Sequence, residues 1–168
     1  MLAAPWFIPS LGVFIAALGF VVVLWLTEPA TPPAPGVTIL ANAAISDATS
    51  LMAAVQTAGL RGSPDVKGAI EEIKRLDGER VMIKGWAVDA AANDSSLTVM
   101  AFAGGRHVLT TVSSGARKDV AQMFGLSDAG AANASFLGTF KCGQGQNLVV
   151  VAVTPSRTYG HFRSVACP

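Results

Sequence analysis

The chain has 168 residues, and 14% of them are charged, against roughly 25% in ordinary soluble domains; the formal net charge is +1 and the mean hydropathy is +0.48. A near-neutral chain with no basic stripe has nothing with which to displace counterions from phosphates, so nucleic acid is excluded as a partner. No Lys or Arg precedes Arg61, and the surplus of apolar residues lies in that same N-terminal third.

Residues 1–6 form a short tail. Phe7 to Leu26 is then a run of 20 residues without a charge. As a helix it spans about 30 Å, the thickness of a bilayer core. Trp6 and Trp25 mark its two ends, where amphipathic rings favour the interface. A cleaved signal peptide wants a positive n-region and a small-residue cleavage site. Neither Met1-Leu2-Ala3-Ala4-Pro5 nor Trp25-Leu26-Thr27-Glu28-Pro29 supplies one. The run is read as a retained single-span anchor, with a cleaved signal and a buried core helix as the alternatives. Gly12, Ala16 and Gly19 share one helical face, where small residues let a neighbouring helix approach; plain abundance of Gly and Ala in membrane helices is the competing account. Orientation is weakly coded, because neither flank carries a Lys or Arg. The short tail is placed in the cytoplasm and the bulk of the chain in the periplasm, on a bacterial inner membrane.

Residues 27–36 hold four prolines in ten residues. Such a linker is extended and semi-rigid, reaching about 3.1 Å per residue. The segment 37–62 is Ala-rich. Ser46 or Asp47 can cap a helix there, with Ala48, Leu51, Met52, Val55 and Ala58 at helical spacing and Gly59 or Gly62 ending it. The other side of this helix, 47–58, is polar but uncharged, so it is expected to pack on protein, either the following domain or another subunit.

From residue 63 to 168 the pattern becomes short strands with regular turn signals, the signature of a β-sandwich. Gly68 to Lys74 reads as a strand or a helical turn, and Asp77-Gly78 as a hairpin. Val81 to Asp89 alternates as a central strand. Val81, Ile83, Gly85 and Ala87 fall on one face, and Met82, Lys84, Trp86 and Val88 on the other. Strands follow at Leu97–Ala103 and Arg106–Val112. Gly115 to Gly125 reads as a short helix or helical turn with Val120, Met123 and Phe124 inward. The last strands are expected at Ser135–Cys142, Asn147–Thr154 and Tyr159–Ala166, with Gly143-Gln144-Gly145 as a hairpin turn.

Gly85-Trp86-Ala87-Val88-Asp89, the Gly104-Gly105 turn, Arg117-Lys118-Asp119-Val120-Ala121 with Phe124, and Ser135-Phe136 together resemble a repeated module of bacterial envelope proteins and glycosyltransferases. That module runs Gly-Trp-Ala-x-Asp, a short Gly turn, Arg-Pro-Asp-Val-Ala and Ser-Gly-Phe. The match covers about residues 68–153. Lys118 stands where the pattern prefers Pro, and no Gly precedes Phe136. The resemblance implies an immunoglobulin-like antiparallel β-sandwich and no catalytic residues. Trp86, Asp89, Arg117, Asp119 and Phe136 are its motif residues and the candidate interaction residues. By their chemistry alone, Asp119 near a helix start would meet exposed N–H groups, and Arg117 would pair with Asp89 or Asp119 to hold the turn on the sheet.

Cys142 and Cys167 are the only cysteines. In an extracytoplasmic domain they are most simply a disulfide, fastening the final strand to its neighbour. A metal site with His107 and His161 is the alternative, and the spacings match no zinc module. Glu71 and Glu72 are adjacent, so a strand would point them to opposite faces, which is poor for paired acid–base work. No nucleotide loop or nucleophile elbow is present. These features lead to a non-enzymatic, single-pass membrane protein without cofactor or metal. It would act as an accessory or assembly subunit that meets integral membrane subunits through its anchor and helix 47–58. A membrane-tethered glycan-binding module using Trp86, Tyr159 and His161 is the alternative.

Overall fold

The computed structural model describes residues 36–92, 95–162 and 164–168. The tail, the expected anchor with Gly12, Ala16 and Gly19, and the expected linker as far as Pro35 lie outside the described residues. Among the described residues no helix is long and apolar enough to cross a membrane.

Two strands are buried on both faces and form the centre of the domain. They are β4 (Thr98–Ala103) and β7 (Asn147–Val153), paired antiparallel from Thr98↔Val153 to Ala103↔Leu148. Their near-continuous apolar runs, Val-Met-Ala-Phe-Ala and Leu-Val-Val-Val-Ala-Val, are what a strand needs when neither face meets water. Alternation divides them cleanly. Val99, Ala101, Ala103, Leu148, Val150 and Ala152 point to one core, and Met100, Phe102, Val149, Val151 and Val153 to another.

These strands belong to a larger sheet with β1 (Arg61–Gly62), β5 (Arg106–Val112), β8 (Thr158–His161) and β9 (Val165–Ala166). Its order is β1-β8-β7-β4-β5, with β9 beside β7. Facing it is a three-stranded sheet of β2 (Val66–Arg75), β3 (Arg80–Asp89) and β6 (Ser135–Lys141), in the order β2-β3-β6. The molecule is therefore mainly β with two sheets, arranged as a β-sandwich. Val81, Ile83, Ala87, Phe136 and Phe140 fill the space between the sheets with the first set from β4 and β7. The alternation expected for Val81–Asp89 holds, since Val81, Ile83, Gly85 and Ala87 are buried. β3 is central in the smaller sheet, but its other face is only partly covered.

The outer face of the large sheet is covered by α1 (Val37–Ala41) and α2 (Ala48–Thr57). Asp47 caps α2: its carboxylate accepts from the Ser50 N–H at 2.8 Å, and the Ser50 hydroxyl accepts from the Asp47 N–H at 3.1 Å. This reciprocal box satisfies two donors that a helix start leaves open. Leu51, Val55 and Ala58 point inward as expected and pack with Val37 and Leu40 on Met100, Phe102 and Val151. Met52 is 51% exposed, at the edge of the buried stripe. The target of this helix is the sandwich itself.

Several local expectations are corrected. The turn after Cys142 is not a hairpin, because it passes from β6 in one sheet to β7 in the other, and these strands do not pair. Glycines at 143 and 145 specify a tight reversal, not which strands meet after it. The expected last strand is two, β8 and β9, with Phe162 between them stacked on Phe136 at 6.2 Å between ring centroids. The disulfide Cys142–Cys167 has a Cα separation of 6.3 Å. It joins the end of the small sheet to the end of the large one, rather than fastening one strand to its neighbour. Met123 is 70% exposed, since the stripe of its short helix is set by Val120, Ala121 and Phe124. A second short helix, unanticipated, follows at Asp128–Ala132.

Candidate functional site

Three of the five motif residues, Trp86, Arg117 and Asp119, meet on the outer face of the small sheet. There α3 (Lys118–Phe124) and α4 (Asp128–Ala132), inserted between β5 and β6, lie over one end of β3. Trp86 is half-buried beneath α3, its ring centroid 5.5 Å from that of Phe124. Val88, Val120 and Ala134 complete this small separate core, with Leu126 against it. A strand Trp thus acts as the seat of a helix.

Arg117 caps the start of α3, and its backbone N–H donates to the Ala131 carbonyl at 2.8 Å. Its guanidinium is forked between two carboxylates. Nη1 and Nη2 donate to the two oxygens of Glu71 at 2.7 and 2.8 Å. Nε and Nη2 donate to the two oxygens of Asp119 at 2.9 and 2.6 Å. Such bidentate, charge-assisted bonds suit a planar guanidinium and no other cation. The Arg117 hydrogen bonds hold both Asp119 and Glu71 below the usual carboxylate range.

Glu71 reaches this clamp through a β-bulge. Ile70 pairs with Gly85 and Glu72 with Lys84, so Glu71 is the extra residue on β2. Without the bulge, adjacent glutamates would point to opposite faces. With it, Glu72 stands beside Lys84 on the outer face, and Glu71 is free to turn toward Arg117. Bulges re-aim single side chains in this way. The expected partner Asp89 is not in the clamp. It is 7% exposed on the core-facing side of β3, and its Oδ1 accepts from the Ala91 N–H at 3.0 Å, closing the turn after the strand. Phe136 is 2% exposed and belongs to the inter-sheet core, so it offers no interaction surface. Asp119 lies in the first turn of α3, as expected, and its carboxylate is taken up by Arg117.

Tyr159 and His161 lie elsewhere. Both project from β8 toward the helical layer, in register with Val153 and Val151. Tyr159 is 8% exposed and its hydroxyl donates to the Met52 sulfur at 3.2 Å. Trp86 is on the opposite side of the sandwich, so these three side chains do not form one platform. His107 on β5 bonds Thr110 at 2.8 Å, and the strand order puts two strands, β7 and β4, between it and β8. Sequence reasoning missed Glu71 as the Arg117 partner. Its only signal was the adjacent pair of acids in an otherwise alternating strand.

No protein-family model matches the chain, and no curated protein matches it in sequence. Among solved structures, the sensor domain of the anti-sigma factor RsgI4 in Pseudobacteroides cellulosolvens is similar over 62% of this chain and 96% of that one. The identity is 10% and the TM-score 0.36, too slight a likeness to carry any functional argument. The fold and site define a two-sheet β domain with a helix-covered face, a disulfide between its sheets and an arginine clamp at one corner.

Proposed function

We propose that the chain is a non-enzymatic, single-pass membrane protein whose β-sandwich stands on the periplasmic side of a bacterial inner membrane as an accessory or assembly subunit of a larger complex. The observation that carries this is the buried Cys142–Cys167 disulfide between the two sheets. Such bonds persist in oxidising compartments and are rare in the cytosol. A charge-free run of 20 residues, Phe7–Leu26, supplies the anchor, and residues 27–36 the spacer. The resemblance to an immunoglobulin-like envelope module is part of the same reading, supported by two packed sheets and by the meeting of Trp86, Arg117 and Asp119 at one corner.

The polar groups at that corner favour a structural role over chemistry. Arg117 is engaged by two carboxylates, and Trp86 is covered by α3. The glycan-binding alternative loses its constellation with Tyr159 buried on the other side. Integral membrane partners would meet the anchor; the apolar side of helix 47–58 is taken up by the sandwich. Copurification after mild detergent extraction of native membranes tests this. Recovery of the chain in the membrane fraction with stoichiometric integral membrane partners is expected; a chain released by alkaline washing, or purified without any partner, would sink it.

A further inference from the structure

Residues 36–60 form the helical layer over the large sheet, and Asp47 is the one charged residue among them. The inward side chains of this layer are buried on the sheet. Its outward surface, with Thr49, Gln56 and Thr57, includes Ile39 at 46% and Met52 at 51% exposure. Between α1 and α2 runs an open groove of about 410 Å³, lined by Ile39, Ala43, Ala44, Ser50, Ala53 and Thr57.

We propose that this surface is the contact between two copies of the chain. Interface cores are depleted of charge, and an uncharged surface meets its own copy without repulsion. A charged protein partner would find no counter-charge in the groove lining; Asp47 is held by Ser50, and Arg106 and Arg157 stand only at the borders of the layer, Arg157 bonded to the Ala58 carbonyl. A bilayer surface is disfavoured too, because residues 36–60 contain no Lys, Arg or aromatic residue, the groups that seat interfacial helices. Knob and hole are present on the same surface: Ile39 stands exposed at the rim of a groove floored by alanines. A two-fold axis sets the Ile39 of one copy against the alanines of the other, as a self-complementary contact requires.

The chain outside the described residues fits this arrangement. The 35 preceding residues enter at Gly36, beside Ala58 and Leu60 at the end of α2. With the two-fold axis along the membrane normal, both linkers leave on one side and both anchors share one bilayer, which raises the effective concentration of one copy near another. This last point rests on the anchored reading above; the groove, the knob and the missing charge do not.

Because the two native cysteines are joined to each other, Ala53→Cys introduces the one free thiol of the full chain. In native membranes a short bis-maleimide is expected to give a species of about 34 kDa, twice the 17.2 kDa chain, from Ala53→Cys and not from Lys84→Cys on the small sheet. Ala53→Glu, which places like charges in the contact, is expected to lower the dimer population at least about tenfold, with a cooperative melt retained. Equal crosslinking from both positions, no crosslinked dimer, or a crosslink only to a chain of different mass would overturn the proposal. The last outcome leaves the accessory-subunit reading standing, whereas a lone copy without any partner removes both.

Discussion

Arg117 joins three pieces of the chain that are distant in sequence: the bulge of β2, the start of α3 and, through its backbone, α4. Exposed ion pairs contribute little individually, but a guanidinium held bidentately on both sides belongs at the upper end of their range. Arg117→Ala is expected to lower stability by about 1 kcal/mol and to raise amide exchange across residues 118–124, with Lys recovering little because it lacks the fork. The pH dependence follows from the carboxylates. Folding lowers the Glu71 pKa from 4.5 and the Asp119 pKa from 3.8. Their stabilisation is therefore complete above pH about 4.5 and is lost as pH falls through the lowered values. The difference between Arg117→Ala and the parent protein should be constant from neutral pH to about 5 and shrink below about 4, as read by denaturant midpoints. A difference that grows on acidification would contradict the clamp.

At the scale of elements, β3 shows how one strand serves two cores. Its even-numbered residues Trp86 and Val88 seat a helix, while Val81, Ile83 and Ala87 fill the sandwich. Gly85 lies on the sandwich side, where an added Cβ would meet the Ala69 carbonyl of the paired strand and the ring of Phe136. A backbone carbonyl within a ladder cannot move aside as a flexible side chain can. Gly85→Ala should therefore destabilise by overpacking, about 1–3 kcal/mol. Equal midpoints for Gly85→Ala and the parent would show that the strands separate more easily than this packing implies.

For the whole molecule, the disulfide is the one covalent cross-link between the sheets among the described residues. It closes a loop with a sequence separation of 25 residues, for which the chain-entropy account gives about 3.5 kcal/mol. The Cys142→Ser/Cys167→Ser double variant, or reduction under mild denaturant, should lower the unfolding free energy by about that amount. The first protection lost should be that of Phe162 to Cys167, which the bond ties to the small sheet. Unchanged stability after confirmed reduction would mean that the paired ends hold each other without it.

The sequence by itself determined the positions of strands β3 to β7, the faces of β3, the capped helix beginning at Asp47, the helix after Arg117 and the pairing of the only two cysteines. Each is encoded by neighbours within a few residues, through period-two or helical spacing, capping chemistry or simple scarcity. Only the tertiary structure decided which strands share a sheet, that β4 and β7 rather than β3 form the doubly buried centre, that α2 lies on its own sandwich, and that Glu71 completes the Arg117 clamp. Those outcomes depend on contacts between residues tens of positions apart and on one extra residue in β2, and no local pattern of polarity records which distant surface will close over it.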